Sequence, residues 1–119
     1  MRSRIALVCV ALLVCVVSCA TVSRDMKLNE DGYSYLQKGD YKKAEPYFKD
    51  ALAANPKNAY AMLNLGVVYQ HTDRPDLARK AYMKVIEMNP KDVPQKVTED
   101  GNRGKSLVDI AKANLSLLK

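Results

Sequence analysis

The chain has 119 residues, a formal net charge of +6, three cysteines, one histidine and no tryptophan. That length bounds it to one small domain with one core. The 48% apolar share is inflated by the N-terminus, and the modest charge excess is not the basic stripe of a nucleic-acid binder.

Arg2 and Arg4 precede an uninterrupted apolar run of thirteen residues, Ile5 to Val17, and small residues follow. This is the three-part plan of a secretory signal, and it falls short of the ~20 apolar residues that span a bilayer. Its end, Val16-Val17-Ser18-Cys19, resembles the bacterial lipobox. The resemblance implies a signal peptide over 1–18, a diacylglycerol on the Cys19 sulfur, cleavage before Cys19 and acylation of the new amino terminus, with 19–24 as a short linker. The alternative is an uncleaved anchor, Ile5 to Val22, interrupted only by Ser18, Cys19 and Thr21; spanning gives no reason for a cysteine at that place. Two or more acyl chains hold a protein stably at a membrane, where one does not.

On this reading Cys9 and Cys15 leave with the signal and Cys19 is consumed as a thioether. The 101 residues from Cys19 to Lys119 then have no thiol for a disulfide, a metal or a nucleophile, and the fold holds by packing alone.

Asp25 to Asn58 aligns without a gap on Ala59 to Asp92, two blocks of 34 residues. The blocks share Gly32/Gly66, Tyr35/Tyr69, Ala44/Ala78 and Asn55-Pro56-Lys57/Asn89-Pro90-Lys91, while Phe48 answers Tyr82, Ala51 answers Val85 and Leu52 answers Ile86. An internal period of this length marks a repeat architecture. Met62, Leu65, Gly66 and Tyr69 recur at helical spacing, as do Ala78, Ala81, Tyr82, Val85 and Ile86. Small residues at 32, 66, 44 and 78 allow close helix approach beside the aromatics. Period and positions resemble the tetratricopeptide repeat (TPR), which implies an all-α fold of two helical hairpins, 25–58 and 59–92.

The turns predict the same boundaries. Gly39 suits a left-handed helix end, Asp40 caps the next helix, and Asp73 stands where Gly39 does, tolerating positive φ. Pro75 fits a first helical turn, and Asn-Pro stops each second helix. Helices of roughly 12 to 14 residues, ~20 Å long, follow. Two positions depart from the pattern: Asp31 stands where the second copy has Leu65, tolerable where no earlier repeat packs, and Pro46 inside a helix predicts a slight kink.

Two repeats expose an apolar flank that arrays close with a further unit or a cap. After a breaker-rich loop over 93–104, in which Val93 to Glu99 could form a short turn, Leu107, Ile110, Ala111, Leu115 and Leu118 share one face and predict a capping helix within 105–119.

Gly104-Lys105-Ser106 resembles the end of a phosphate-binding loop, but Glu99 occupies the place of the first glycine and no strand precedes it. Ser106 to Asp109 reads better as a capping box. His71 has no second His or Cys with which to share a metal, and the acids Glu30, Asp31, Glu45, Asp50 and Glu87 are scattered at surface spacings. No catalytic residue, metal or cofactor is assigned.

Without Arg2 and Arg4 the chain keeps 17 basic and 13 acidic residues. Lys42, Lys43, Lys49, Arg79, Lys80 and Lys84 fall on the second helices, the convex side of the family. Nucleic acid is not expected as a partner outside the cytoplasm; such a basic back suits anionic lipid.

The resemblance further implies a concave groove lined by the first helices of the hairpins, taking a peptide or protein partner. By matching positions it comprises Met26, Asn29, Tyr33, Leu36 and Gln37, then Tyr60, Leu63, Asn64, Val67, Gln70 and His71. Tyr33 and Tyr60 are the anchors chosen, for their rigid area and polar tip; the alternative is that they only complete packing between repeats. Asn64 matches a position that contacts a peptide tail in chaperone-binding members, but Asn29 and Thr98 stand where that clamp needs Lys and Arg, so carboxylate recognition is not expected. The function expected is a lipid-anchored envelope scaffold that assembles protein partners, on the periplasmic face of the outer membrane; Ala20, in place of the Asp associated with inner-membrane retention in enteric bacteria, favours that leaflet. Two alternatives stand beside it: an envelope enzyme or a small-ligand or nucleotide binder using loop 98–106, and a self-associating lipoprotein whose partner is a second copy.

Overall fold

The computed structural model describes residues 22–91 and 100–119. The expectations for the signal segment, for Cys19 and for Val93 to Glu99, including Thr98, fall outside the described residues.

Five helices follow one another: α1 (Arg24–Gln37), α2 (Tyr41–Ala54), α3 (Ala59–His71), α4 (Pro75–Met88) and α5 (Leu107–Leu117), with a 3-10 turn at Asp100–Asn102 before the last. No strand occurs among the described residues. The expected all-α class is therefore observed. Helices α1 and α2 form one hairpin, α3 and α4 a second, and α2 packs on α3 to join them.

Local chemistry explains the ends. Asp40 caps α2 by accepting from the Lys43 N–H at 3.2 Å, Asn58 caps α3 by accepting from Ala61 at 2.9 Å, and Ser106 caps α5 by accepting from Asp109 at 3.1 Å, each satisfying an N–H that the helix leaves open. Pro75 opens α4. Gly39 and Asp73, one repeat apart, both take positive φ, at 73° and 57°, so the hairpin turns share one left-handed geometry. The two Asn-Pro stops differ: Asn55 is extended and Asn89 is left-handed at φ 48°. Helix α2 runs through Pro46 as one helix.

Gly32 and Gly66 are where the hairpins close. A Cβ on Gly66 would lie 2.6 Å from Tyr82 Cε1, and one on Gly32 would lie 2.8 Å from Phe48 Cε1. Phe48 and Tyr82 are fully buried, so each ring occupies the space that the missing side chain leaves.

Helix α3 serves two cores. Ala61, Leu65 and Val68 join Leu36, Ala44, Phe48 and Ala51 of the first hairpin. Ala59 and Leu63 join Ala78, Tyr82, Val85 and the α5 residues Leu107, Ile110 and Ala111. Covered on both sides, α3 is apolar around most of its circumference, as a buried helix must be.

Helix α5 packs on α4 and touches α3, as α3 packs on α2 and touches α1. Buried Leu107, Ala111 and Asn114 repeat the spacing of Ala61, Leu65 and Val68. In that register Lys112 stands where α3 has Gly66, and a lysine there prevents a further helix from approaching closely. The other end is polar too. Lys27, Asp31 and Ser34 occupy on α1 the places of Ala61, Leu65 and Val68, and all three are exposed. Asp31 is thus exposed on α1, whereas Leu65, its counterpart on α3, is buried.

Candidate protein-binding groove

The groove residues come mainly from α1 and α3, which lie side by side. Asn64 Nδ2 donates to Asn29 Oδ1 at 3.0 Å and ties the two helices. Tyr33 lies one turn after Asn29; Tyr60 and Val67 lie about one turn before and after Asn64. These residues therefore continue the ridge that the amide pair defines. Asn29 is buried, whereas Tyr33, Tyr60, Asn64 and Val67 are half-buried. Tyr33 packs on the first core, Tyr60 on the second and Val67 on both. Each tyrosine is thereby held rigid by packing while part of its surface stays accessible, which suits an anchor residue.

The remaining positions separate. Met26 is half-buried and Gln37 is exposed at the end of α1. Gln70 accepts from the Tyr82 hydroxyl at 2.6 Å, which fixes its amide. Leu36 and Leu63 belong to the cores. His71 is exposed, and its ring stacks on Tyr41 of α2 at 4.7 Å with 2° between planes. Recognition along this ridge would rest on amide hydrogen bonds and aromatic contact, because Met26, Asn29, Tyr33, Gln37, Tyr60, Asn64, Val67 and Gln70 carry no formal charge near neutral pH.

Two polar networks that sequence reasoning missed hold the ridge in place. Buried Asp25, at the start of α1, accepts through Oδ2 from Asn55 at 3.0 Å and Asn58 at 2.9 Å. Its carboxyl is held below the ordinary value, first by the Ser23 hydroxyl, then by the Asn55 amide, with Asn58 adding to it against the cost of burial. On the opposite side of the seam Arg74 clasps Glu45 through two bonds, Nη1 to Oε1 at 3.0 Å and Nη2 to Oε2 at 2.6 Å. Lys49 adds a contact to Oε1 at 2.7 Å, Thr72 accepts from Arg74 Nε at 3.0 Å, and the guanidinium lies 4.7 Å from the Tyr69 ring centre. Arg74, then Lys49, holds Glu45 down to about 2. An Asn directly before an apolar helical run is an N-cap signal that could have found Asn58. The Glu45–Arg74 pairing spans 29 residues and leaves no periodic trace.

Both displaced carboxylates move downward, away from the range useful to a general acid or base near neutral pH. Among the described residues no group of three His, Cys, Asp or Glu side chains could hold a metal ion. At the 98–106 loop, Ser106 Oγ is engaged with Asp109 Oδ2 at 2.7 Å as well as capping α5. No helix among the described residues is long and apolar enough to cross a membrane.

Comparison with known proteins gives two findings. The family described as tetratricopeptide repeat matches residues 35–95, half of the chain. The chain is also similar to the Sol locus transcriptional repressor of Clostridium acetobutylicum, with 36% identity over 58 residues. That stretch is 49% of this chain and 18% of the repressor, so the likeness covers less than two repeat lengths and a small part of that protein.

Proposed function

This chain belongs to the tetratricopeptide repeat family, and on that premise we propose that it is a non-enzymatic scaffold taking a protein partner along the α1–α3 ridge, lipid-anchored in a bacterial envelope. The observation that carries the scaffold reading is the Asn29–Asn64 bond flanked by Tyr33 and Tyr60: a rigid, uncharged, half-open surface on paired helices, beside which the described residues form no group of three His, Cys, Asp or Glu side chains able to hold a metal ion. Polar residues at both ends of the array, Lys27, Asp31 and Ser34 on α1 and Lys112 on α5, favour a different protein over a second copy as the partner, since a repeat seam here is built from Ala61, Leu65 and Val68.

The anchor reading rests on the sequence Val16-Val17-Ser18-Cys19 and the apolar run before it. It makes the protein an adaptor in the assembly of an envelope complex such as a pilus, a secretion channel or the outer-membrane protein machinery, on the periplasmic face of the outer membrane. Recovery of partners from detergent-solubilised membranes tests the groove: the Tyr33→Ala, Tyr60→Ala double variant loses the partner that the wild type retains, and equal recovery refutes the proposal. Mass spectrometry of the mature N-terminus tests the anchor: an acylated Cys19 supports it, and an intact unmodified Met1 contradicts it.

A further inference from the structure

Glu30 holds on α1 the place that Asn64 holds on α3, one repeat of 34 residues later. It comes four residues after Met26 and three before Tyr33, so helical phase puts it on the groove side of α1, beside the uncharged ridge. Glu30 is exposed, and among the described residues no ion pair engages it. Its charged neighbours on the helix lie elsewhere. Lys27 and Asp31 take the places of Ala61 and Leu65, which α3 buries against the first hairpin, and so they belong to the outer flank.

Helix α5 extends the same face. In its register with α3, Ile110, Ala113 and Leu117 repeat Asn64, Val67 and His71. Ile110 is buried, Ala113 is half-buried and Leu117 is 67% exposed. Because α3 lies beside both α1 and α5, the row Glu30, Asn64, Ile110 crosses the groove from a carboxylate through an amide to a hydrocarbon. The next row, Tyr33, Val67, Ala113, ends equally apolar. No other Asp, Glu, Lys or Arg occupies these groove-side positions on the three helices.

We propose that the groove selects its partner by a basic side chain: a segment of a different protein lies across the three helices with Lys or Arg against Glu30 and apolar side chains toward Ala113 and Leu117. Three helices spaced ~10 Å apart present about 20 Å, the length of about six extended residues. An exposed ion pair adds little affinity; what Glu30 supplies is direction and exclusion. An acidic side chain at that place meets a like charge, and a reversed segment sets its cation on the hydrocarbon end, where nothing compensates it. Tyr33, one turn from Glu30, offers the same cation an aromatic ring. The inference deepens the scaffold reading and rests on it.

The test pans the full chain, immobilised in detergent, against phage displaying random dodecapeptides, and the selected peptides are resynthesised for binding measurements. The expected result is enrichment of Lys or Arg about five positions from an apolar residue, and of Asp or Glu at the basic place when Glu30→Lys is panned instead. A peptide selected by the wild type should bind Glu30→Lys about fivefold more weakly or worse, with Glu30→Gln between them and the difference shrinking in high salt. Peptides that need Tyr33 and Tyr60 yet lack an enriched basic residue, or bind Glu30→Lys equally well, overturn the selection and leave the groove standing. Peptides indifferent to the Tyr33→Ala, Tyr60→Ala double variant, or no enrichment at all, overturn both.

Discussion

Glu45 of α2 and Arg74, the residue before α4, face each other in a two-pronged ion pair across the seam between the hairpins, with Nη2 to Oε2 at 2.6 Å. Glu45 is largely buried, at 16% side-chain exposure, and Arg74 is further engaged by Thr72 and the Tyr69 ring. The pair ties α2 of the first hairpin to the turn that precedes α4 of the second.

Glu45→Gln removes the charge and keeps the shape. It should lower stability by about 1.5–3 kcal/mol, the range for hydrogen bonds to charged groups. The sign with pH follows from the depressed folded-state pKa, about 2 against an ordinary 4.5: the stabilisation is full above the ordinary value and is lost as pH falls toward 2. Chemical denaturation of both proteins across that window should show the gap between them closing; a constant gap down to pH 2 would contradict the assignment.

Gly66→Ala gains helix propensity of about 1 kcal/mol but sets a methyl 2.6 Å from Tyr82 Cε1. Tyr82 is fully buried and its hydroxyl is bound to Gln70, so the ring has nowhere to retreat. The net effect expected is a loss of about 1–2 kcal/mol, within the range for overpacked cores. Thermal unfolding checks it, with Lys80→Ala on the exposed face of α4 close to wild type.

Asp25→Ala and Asn58→Ala should each lower the melting temperature, and the double variant should fall by less than the sum, because both remove the same 2.9 Å bond. With the Asp25 carboxyl held below 3.8, this contribution is present above that value and fades under stronger acid. Strict additivity in a double-mutant cycle would deny the contact.

Much of the architecture was legible because it is periodic. Gly32 and Gly66 paired with Phe48 and Tyr82, and the apolar spacing on α3 and α5, are local patterns that helical geometry translates directly into faces. The groove positions came from the resemblance to the family and not from the period itself, and the bond by which Asn29 and Asn64 meet across helices was not legible in the sequence. What escaped depends on side chains distant in sequence. Asp25 bonding Asn55 and Asn58 has no echo in the second copy, where Ala59, Asn89 and Asp92 hold those places. His71 follows the groove spacing, yet its ring lies flat on Tyr41, a contact between the end of α3 and the start of α2. Helical phase alone puts Leu36 and Leu63 on the groove side, whereas their burial is decided by neighbouring helices.

The central claim is that the partner sits on the α1–α3 ridge, and site-specific photocrosslinking in living cells tests it most directly. A photoreactive residue placed at Tyr33, Tyr60 or Val67 should yield the same discrete protein adduct, and one placed at Lys80 or Met83, on the exposed side of α4, should not. Adducts of equal yield from both faces, or from the α4 positions alone, would contradict the account.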